Sequence, residues 1–454
     1  WQVIENVNGH DINEVKAALM KAKENNNKPV LMIARTHIAY GAPTKQDSHT
    51  AHGAPLGKEE VEGLKRNIGL PVDKLFYVSN EVKTYFRERE KELRKNREIW
   101  QEKFAQWSDK FPEKRREWDQ GIDLEVTDQL KFLTMSLPEK IATRSSSGEI
   151  MSKIAEEIPY LVGGSADLSP STMTYLDQYP EVQKDCFDAR NIRFGVREHA
   201  MGAICNGLSL HKGLRPYCST FLVFSDYMRS SVRLSALMNL PVVYIFTHDS
   251  IGVGEDGPTH QPIEHIASLR AIPNLEVIRP ADANEVSVLW NYIMEIKNAP
   301  VALILSRQNL PVINREKYAP ASGALKGGYV LADAGGSPEI ILIATGSELH
   351  QTLEAFEILI KEGVKARLVS MPNWSLYERQ DDSYRESVLP SGVTKRISVE
   401  AGSVFGWNRF TGLPGTGIAL GMKTFGASGK LNSLLEEFEL TAEDIVNKAK
   451  SLLK

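Results

Sequence analysis

Five short apolar runs bounded by turn residues lie along the middle of the chain: YLVGG from Tyr160, NIRFGV from Asn191, LPVVYIFT from Leu240, LEVIR from Leu275 and VALILS from Val301. Continuous apolar runs of this length fit strands buried on both faces, the pattern of a parallel sheet covered by helices. Parallel neighbours need a crossover connection, and the segments between the runs have helical character, FLVFSDYMRSSVRLSALM being the clearest. The sequence therefore predicts an α/β fold with a doubly wound, mostly parallel sheet, which places ligands at the carboxyl ends of the strands.

Three consecutive α/β units are expected. In residues 1–112, INEVKAALMKAKENN carries Ile12, Val15 and Leu19 on one helical stripe, and VLMIA follows as a buried strand. A Gly- and Pro-bearing loop comes next, then a highly charged stretch from Glu81 to Asp119 that reads as a solvated helix and a connection. Residues 113–316 hold the five apolar runs. Residues 317–454 repeat the rhythm, with EIILIATG, VKARLVSM and KRISVEAG as strands and SELHQTLEAFEILIKEG and the stretch from Thr441 as helices.

Composition narrows the function classes. A formal charge of -4 gives no global positive field for a phosphate backbone, so nucleic acid is not an expected partner. No apolar run approaches the roughly 18 residues of a membrane span. Cys186, Cys205 and Cys218 lack the spacing of a disulfide framework or a metal motif, which fits reduced thiols in the cytoplasm. The chain does not begin with Met, so residue 1 is expected to lie inside a longer gene product.

Chemically loaded residues collect where strands end. His248, Asp249, Glu255, Asp256 and His260 share the loop HDSIGVGEDGPTHQ after PVVYIFT, and a solvated loop with turn glycines is the plainer account of such a composition. Arg144 precedes a helix and Arg307 follows a strand; the planar guanidinium suits phosphate, although a lone Arg at an element end is more often a surface residue. The paired glycines of LVGGSADLSPST permit close backbone approach, with Asp167 and Ser171 just beyond. Glu198 stands where IRFGVREHAM passes from an alternating strand, with Ile192, Phe194 and Val196 on one face, into a helix; it is either a favourable acid at a helix start or a reagent. His49 and His52 lie together in a loop and carry no clear signal of their own.

The segments FGVREHAM, GGSADLSPS, STFLVFSDY, THDSIGVGEDGPTHQP, LILSRQN, SHTAHGAPLG and MKTFGASG resemble those of the transketolase family, in family order and across nearly the whole chain. The resemblance implies a thiamine diphosphate enzyme of the pentose phosphate pathway that moves a two-carbon ketol unit from a ketose phosphate to an aldose phosphate. It further implies a diphosphate-binding domain ending near residue 112, a pyrimidine-binding domain over 113–316, and a transketolase C-terminal domain over 317–454. By the same resemblance Glu198 drives the cofactor's aminopyrimidine, Phe224 stacks on it with Phe221 and Tyr227 lining the pocket, and Asp167 lies near the thiazolium. Arg144, Ser171, His248, Asp256, His260 and Arg307 form the sugar-phosphate channel. His52 reaches both substrate and cofactor, His260, His52 and His248 are candidates for proton transfer, and His49 is structural. A homodimer is the family's assembly.

One departure stands against these matches. The family holds the diphosphate and its Mg or Ca through a Gly-Asp-Gly segment and a later Asn, oxygen ligands that suit such cations, and no Gly-Asp-Gly occurs in this sequence. GEDG at 254–257 belongs to the loop already described. No metal ligand is therefore expected within this chain, and the first domain is expected to be incomplete, its N-terminal part removed or carried on a separate chain. Arg35 stands where many members have Lys. Dihydroxyacetone synthase, or a non-catalytic core needing a separate N-terminal chain, are the alternatives.

Overall fold

The computed structural model describes residues 1–454 except 26, 127–137 and 414. The chain forms two compact units, Trp1–Lys110 and Phe111–Lys454. No described helix is long and apolar enough to cross a membrane.

In the first unit, strand β1 (Gln2–Asn8), a helix over Ile12–Lys23 and strand β2 (Val30–Arg35) form a parallel pair with its crossover, Ile4 lying opposite Met32. Asp11 caps the helix by accepting the Asn13 N–H at 2.8 Å. The sequence shows the helix and β2 but hides β1. Its register shifts between Ile4 and Val7, where Asn6 takes a left-handed φ of 58°, and such a bulge destroys the period of two. Ile4, Val7 and Ala18 close a small core, while Leu19, Met20, Leu31 and Ile33 are exposed, so the strand VLMIA, expected to be buried, is largely open. The charged stretch forms a helix over Asn80–Lys110 with no buried residue and with one-turn ion pairs such as Lys91 to Glu88 at 2.8 Å.

The second unit opens with a helix over Pro112–Asp123 and contains strands β3 (Lys140–Ile141), β4 (Leu161–Ser165), β5 (Asn191–Arg193), β6 (Arg215–Phe221), β7 (Val243–Thr247), β8 (Glu276–Ile278), β9 (Val301–Leu305) and β10 (Leu310–Pro311). Six of these make one sheet in the order β5-β4-β6-β7-β9-β8, every pairing parallel, and β3 with β10 makes a small antiparallel pair. Side chains alternate across the sheet. Val243 and Ile245 join Ile150, Ile154, Trp290 and Ile293 on one side, while Tyr244 and Phe246 join Met201, Met228 and Val232 on the other. Helices Thr143–Glu157, Glu198–His211, Ser225–Leu237 and Ala283–Glu295 supply these partners.

Strand β6, between β4 and β7, is the largest element that periodicity does not reveal. RPYCSTF reads as polar, yet all seven residues are buried, and the terminal guanidinium nitrogens of Arg215 donate to helix-end carbonyls, that of Ile293 at 2.7 Å, while its Nε has no partner among the described residues. Two expectations are shortened. β5 ends at Arg193, since Gly195 turns at φ 71° and leaves Val196 75% exposed, off the face of Ile192 and Phe194. The helix expected from Phe221 begins at Ser225, because Phe221 closes β6 and Leu222–Phe224 form a 3-10 turn.

The C-terminal sheet comprises β11 (Tyr329–Asp333), β12 (Ile340–Ala344), β13 (Ala366–Ser370), β14 (Arg396–Ser403) and β15 (Gly417–Met422), in the order β11-β13-β12-β14-β15. β11 is antiparallel to β13 and the remaining pairs are parallel. Helices Leu349–Lys361 and Ala442–Leu453 pack on it, the latter started by a reciprocal capping box between Thr441 and Asp444.

Gly163 and Gly164 fix the spacing around β4. A Cβ on Gly163 would lie 2.0 Å from the Tyr217 carbonyl oxygen, and one on Gly164 1.9 Å from that of Ile192. Backbone cannot yield as a side chain does, so Gly164→Ala is expected to destabilise the second unit by about 3 kcal/mol, at the upper end of ordinary overpacking. Urea unfolding checks this; a loss under about 1 kcal/mol would show that β5 can move away.

Candidate functional site

Successive strands of the six-stranded sheet deliver reactive side chains to one edge. In spatial order, Glu198 follows β5, Asp167 follows β4, Phe221 ends β6, His248 follows β7 and Arg307 follows β9. Because all these strands are parallel, every one of those positions is a carboxyl end.

Arg144 is brought to the same edge by a buried hydroxyl clamp. The Thr143 N–H and hydroxyl donate to Ser306 Oγ at 3.1 and 3.0 Å, and the Ser306 N–H donates to Thr143 Oγ1 at 2.7 Å. These bonds join the residue before Arg144 to the residue before Arg307. The Arg144 guanidinium donates to the Ser171 carbonyl at 2.5 Å, so Ser171 meets it through backbone oxygen. Burial first, and then the charge of Arg307, lowers Arg144 from its ordinary value. Its Nε is buried with no acceptor among the described residues, a donor that an anion would satisfy.

An aromatic cluster adjoins these cations. His248 stacks on Phe221 with centroids 3.6 Å apart and planes at 26°, Phe221 stacks on Phe224 at 5.8 Å, and His260 meets Phe224 edge-on at 5.6 Å. Tyr227, 68% exposed, continues the row at 6.1 Å from Phe224. The polar loop is not solvated along its first half: His248, Asp249 and Ser250 are 3%, 1% and 1% exposed, and residues 251–254 are buried. His248 holds a left-handed φ of 62°, and its Nδ1 lies 2.8 Å from Thr247 Oγ1. Burial, then the charges of Arg144, Arg307 and His260, lowers its pKa to about 3, so the imidazole is neutral at pH 7.

The other expected residues are placed as follows. Asp256 is exposed at the end of the 3-10 turn Ile251–Asp256, and the His260 N–H donates to Gly257 O at 3.0 Å within the same loop. Asp167 is exposed with φ 61°, and Glu198 opens its helix half-buried. That helix is tied to the one carrying Tyr227, Asn206 Nδ2 donating to Ser231 O at 2.9 Å. His52 and His49 are exposed in the first unit, around a single 3-10 turn. Asp226, Glu264 and His265 are close enough among the described residues to share an ion, but an ordinary hydrogen bond from His265 Nε2 to Asp226 at 3.1 Å accounts for that contact. The sequence reading overlooked Thr143 and Ser306, although each immediately precedes one of the two arginines.

Three family models match. Residues 1–126 match "Transketolase, thiamine diphosphate binding domain", 139–312 "Transketolase, pyrimidine binding domain" and 327–441 "Transketolase-like TK C-terminal domain". A transketolase of Aquifex aeolicus is 43% identical over 448 residues, covering 99% of this chain and 64% of its own length. A Pichia stipitis transketolase, solved in complex with sedoheptulose 7-phosphate, superposes with a TM-score of 0.91 at 38% identity, covering 100% of this chain and 67% of the other. A split-gene transketolase, described as an inactive beta4 tetramer, gives a TM-score of 0.57 at 27% identity over 69% of this chain and 98% of its own. The chain thus spans about two thirds of the length of the first two.

The depressed His248 pKa has a consequence for stability. Unfolding lets the imidazole take up a proton below about pH 6.5, whereas the folded site resists until about pH 3, so stability falls as pH drops through that window. His248→Asn is expected to flatten the decline of unfolding free energy between pH 6 and 4. An unchanged slope in urea titrations at several pH values would contradict the buried neutral ring.

Proposed function

Because the chain belongs to the transketolase family, we propose that it carries the pyrimidine-binding and sugar-phosphate-binding share of a ketol-transfer site, moving a two-carbon unit from a ketose phosphate to an aldose phosphate. The observation that carries this reading is the buried cationic and aromatic cluster at the carboxyl edge of the parallel sheet, with an orphaned Arg144 donor inside it. Packing alone has no use for such a cluster.

Thiamine diphosphate, when bound, supplies the nucleophilic carbon and the electron sink. The residues present fit its ring end: Phe224 and exposed Tyr227 would hold the aminopyrimidine with Phe221 behind them, Glu198 would hold a proton at the far ring nitrogen, and Asp167 would lie near the thiazolium. Arg144 and Arg307 hold the sugar phosphate with His248, His260 and Ser171, while Asp256 takes the hydroxyl beside the donor carbonyl. Neutral His248 offers a nitrogen that can accept a proton, and His260 and His52 are the other groups for proton transfer. The diphosphate and its Mg or Ca are held by residues outside this sequence, a reading supported by the absence of Gly-Asp-Gly.

Assembly is proposed on the same footing. Ile204, Leu210, Tyr227, Leu234 and Leu237 leave apolar surface open on two adjoining helices, which supports a homodimer. The open apolar side chains of the first unit support its completion by further transketolase sequence, on the same or a separate chain. Free Cys186, Cys205 and Cys218 support a reducing, cytoplasmic setting.

Ketol transfer is assayed with the completed assembly, thiamine diphosphate and Mg. Glu198→Ala is expected to abolish turnover, and normal turnover in that variant would refute its role. Arg144→Ala and Arg307→Ala are each expected to raise KM for phosphorylated donors about 10- to 100-fold, the loss of one charged hydrogen bond, while leaving an unphosphorylated ketose nearly unaffected. Equal losses on both donors would remove the phosphate from this pocket.

A further inference from the structure

The C-terminal sheet contributes none of the residues assigned above, yet the region it belongs to reaches the loop after β7 at two places. After β12, the segment Thr345, Gly346, Ser347, Glu348 wraps Arg279, which follows β8 of the six-stranded sheet. Arg279 is 1% exposed; it donates to the Thr345 carbonyl at 3.2 Å, pairs with Glu348, and donates through Nε and Nη2 to Asp249 Oδ2 at 3.1 and 2.7 Å. Ser347 Oγ lies 3.3 Å from the same Asp249 oxygen, and Glu400 of β14 lies 3.6 Å from Arg279. Gly346 is needed for this approach: its φ is 59° and a Cβ there would stand 2.5 Å from Arg279 Nε. Asp249 is the neighbour of His248, whose left-handed backbone has to be held by its surroundings.

A second contact reaches the other half of the same loop. In MKTFGASG, Ser428 Oγ donates to the Glu255 carbonyl at 2.6 Å, and the Ala427 carbonyl accepts Gln261 Nε2 at 2.9 Å, which also donates to Gly254 O at 3.0 Å. Glu255 and Gln261 flank Asp256 and His260. Gly426 allows the closeness, because a Cβ on it would meet Gln261 Oε1 at 1.9 Å.

We propose that the segment after β15, with the C-terminal sheet, is a template for the substrate loop: Glu348, through Arg279 and Asp249, sets the position of His248, while Ser428, through Glu255, and the Ala427 carbonyl, through Gln261, set that of Asp256 and His260. The proposal rests on the sugar-phosphate reading of that loop. Glu348, Arg279, Asp249 and Ser428 are positioning residues and touch no substrate. One attachment, at Asp249, precedes the 3-10 turn Ile251–Asp256, and the other grips Glu255 near the end of that turn and Gln261 beyond it, so losing one leaves the other in place.

The test uses the full chain with Glu348→Gln, which keeps the side-chain volume, and Ser428→Ala, which removes one exposed hydroxyl; Lys450→Gln, breaking a surface pair with Glu362 on the same sheet's helices, is the control. Binding of fructose 6-phosphate by calorimetry and the His248 ring signals of histidine-labelled protein are read, and neither needs turnover. Both variants are expected to weaken binding about tenfold, the scale of a small misplacement of binding groups, with Lys450→Gln at the wild-type value. Only Glu348→Gln is expected to shift the His248 signals, and Glu348→Asp to restore part of the binding. Wild-type binding and unmoved His248 signals in Glu348→Gln would overturn the proposal, as would an equal loss in Lys450→Gln. Should the wild-type chain bind no sugar phosphate, the functional reading fails by itself, and the His248 signals still decide whether Glu348 positions that ring.

Discussion

Parallel pairing across the six-stranded sheet is the constraint from which the site follows. Each strand must be re-entered from the same end, so every crossover leaves at the same edge, whatever its sequence. Residues far apart in the chain, Asp167, Glu198, Phe221, His248 and Arg307, are collected there by topology alone. The close approach of β4 to its neighbours, possible only because Gly163 and Gly164 lack side chains, sets the spacing of the first three.

Electrostatics at that edge is uneven by construction. Arg144 and Arg307 stand together without a carboxylate partner among the ion pairs of the described residues, and burial, reinforced by their charge, keeps His248 neutral. Beneath them lies a node in which Arg279 and Arg270 are shared among Asp249, Glu348 and Glu400, all nearly inaccessible. Buried charges of this kind contribute little net stability compared with apolar packing, so their value is better sought in the geometry they enforce. On the proposed reading the unpaired cations meet an anion, and the paired ones hold the loop beside it.

Much of this was legible in the sequence, and the exceptions have physical causes. Apolar runs such as VVYIFT and VALIL declare themselves as strands because both faces are covered. β6 does not, since Arg215, Ser219 and Thr220 are buried in it, the Arg215 guanidinium reaching helix-end carbonyls while the Ser219 and Thr220 hydroxyls have no partner among the described residues. β1 is masked by its bulge at Asn6. In the site, the motif residues stood out by chemistry and by resemblance to the transketolase segments, whereas Thr143, Ser306, Arg279 and Glu348 act through partners more than 60 positions away, a pairing that spacing cannot reveal. The polar composition of the loop after β7 suggests solvation, because burial of Asp249 depends on a sheet encoded about 100 residues later.

The most direct test of the central claim is a crystal structure of the chain grown with a saturating ketose phosphate. The account predicts the phosphate group between Arg144 and Arg307, within hydrogen-bond distance of the Arg144 Nε that now lacks a partner, and the sugar lying along the loop that carries Asp256 and His260. A phosphate bound elsewhere on the chain, with that pocket empty at saturating ligand, would contradict it.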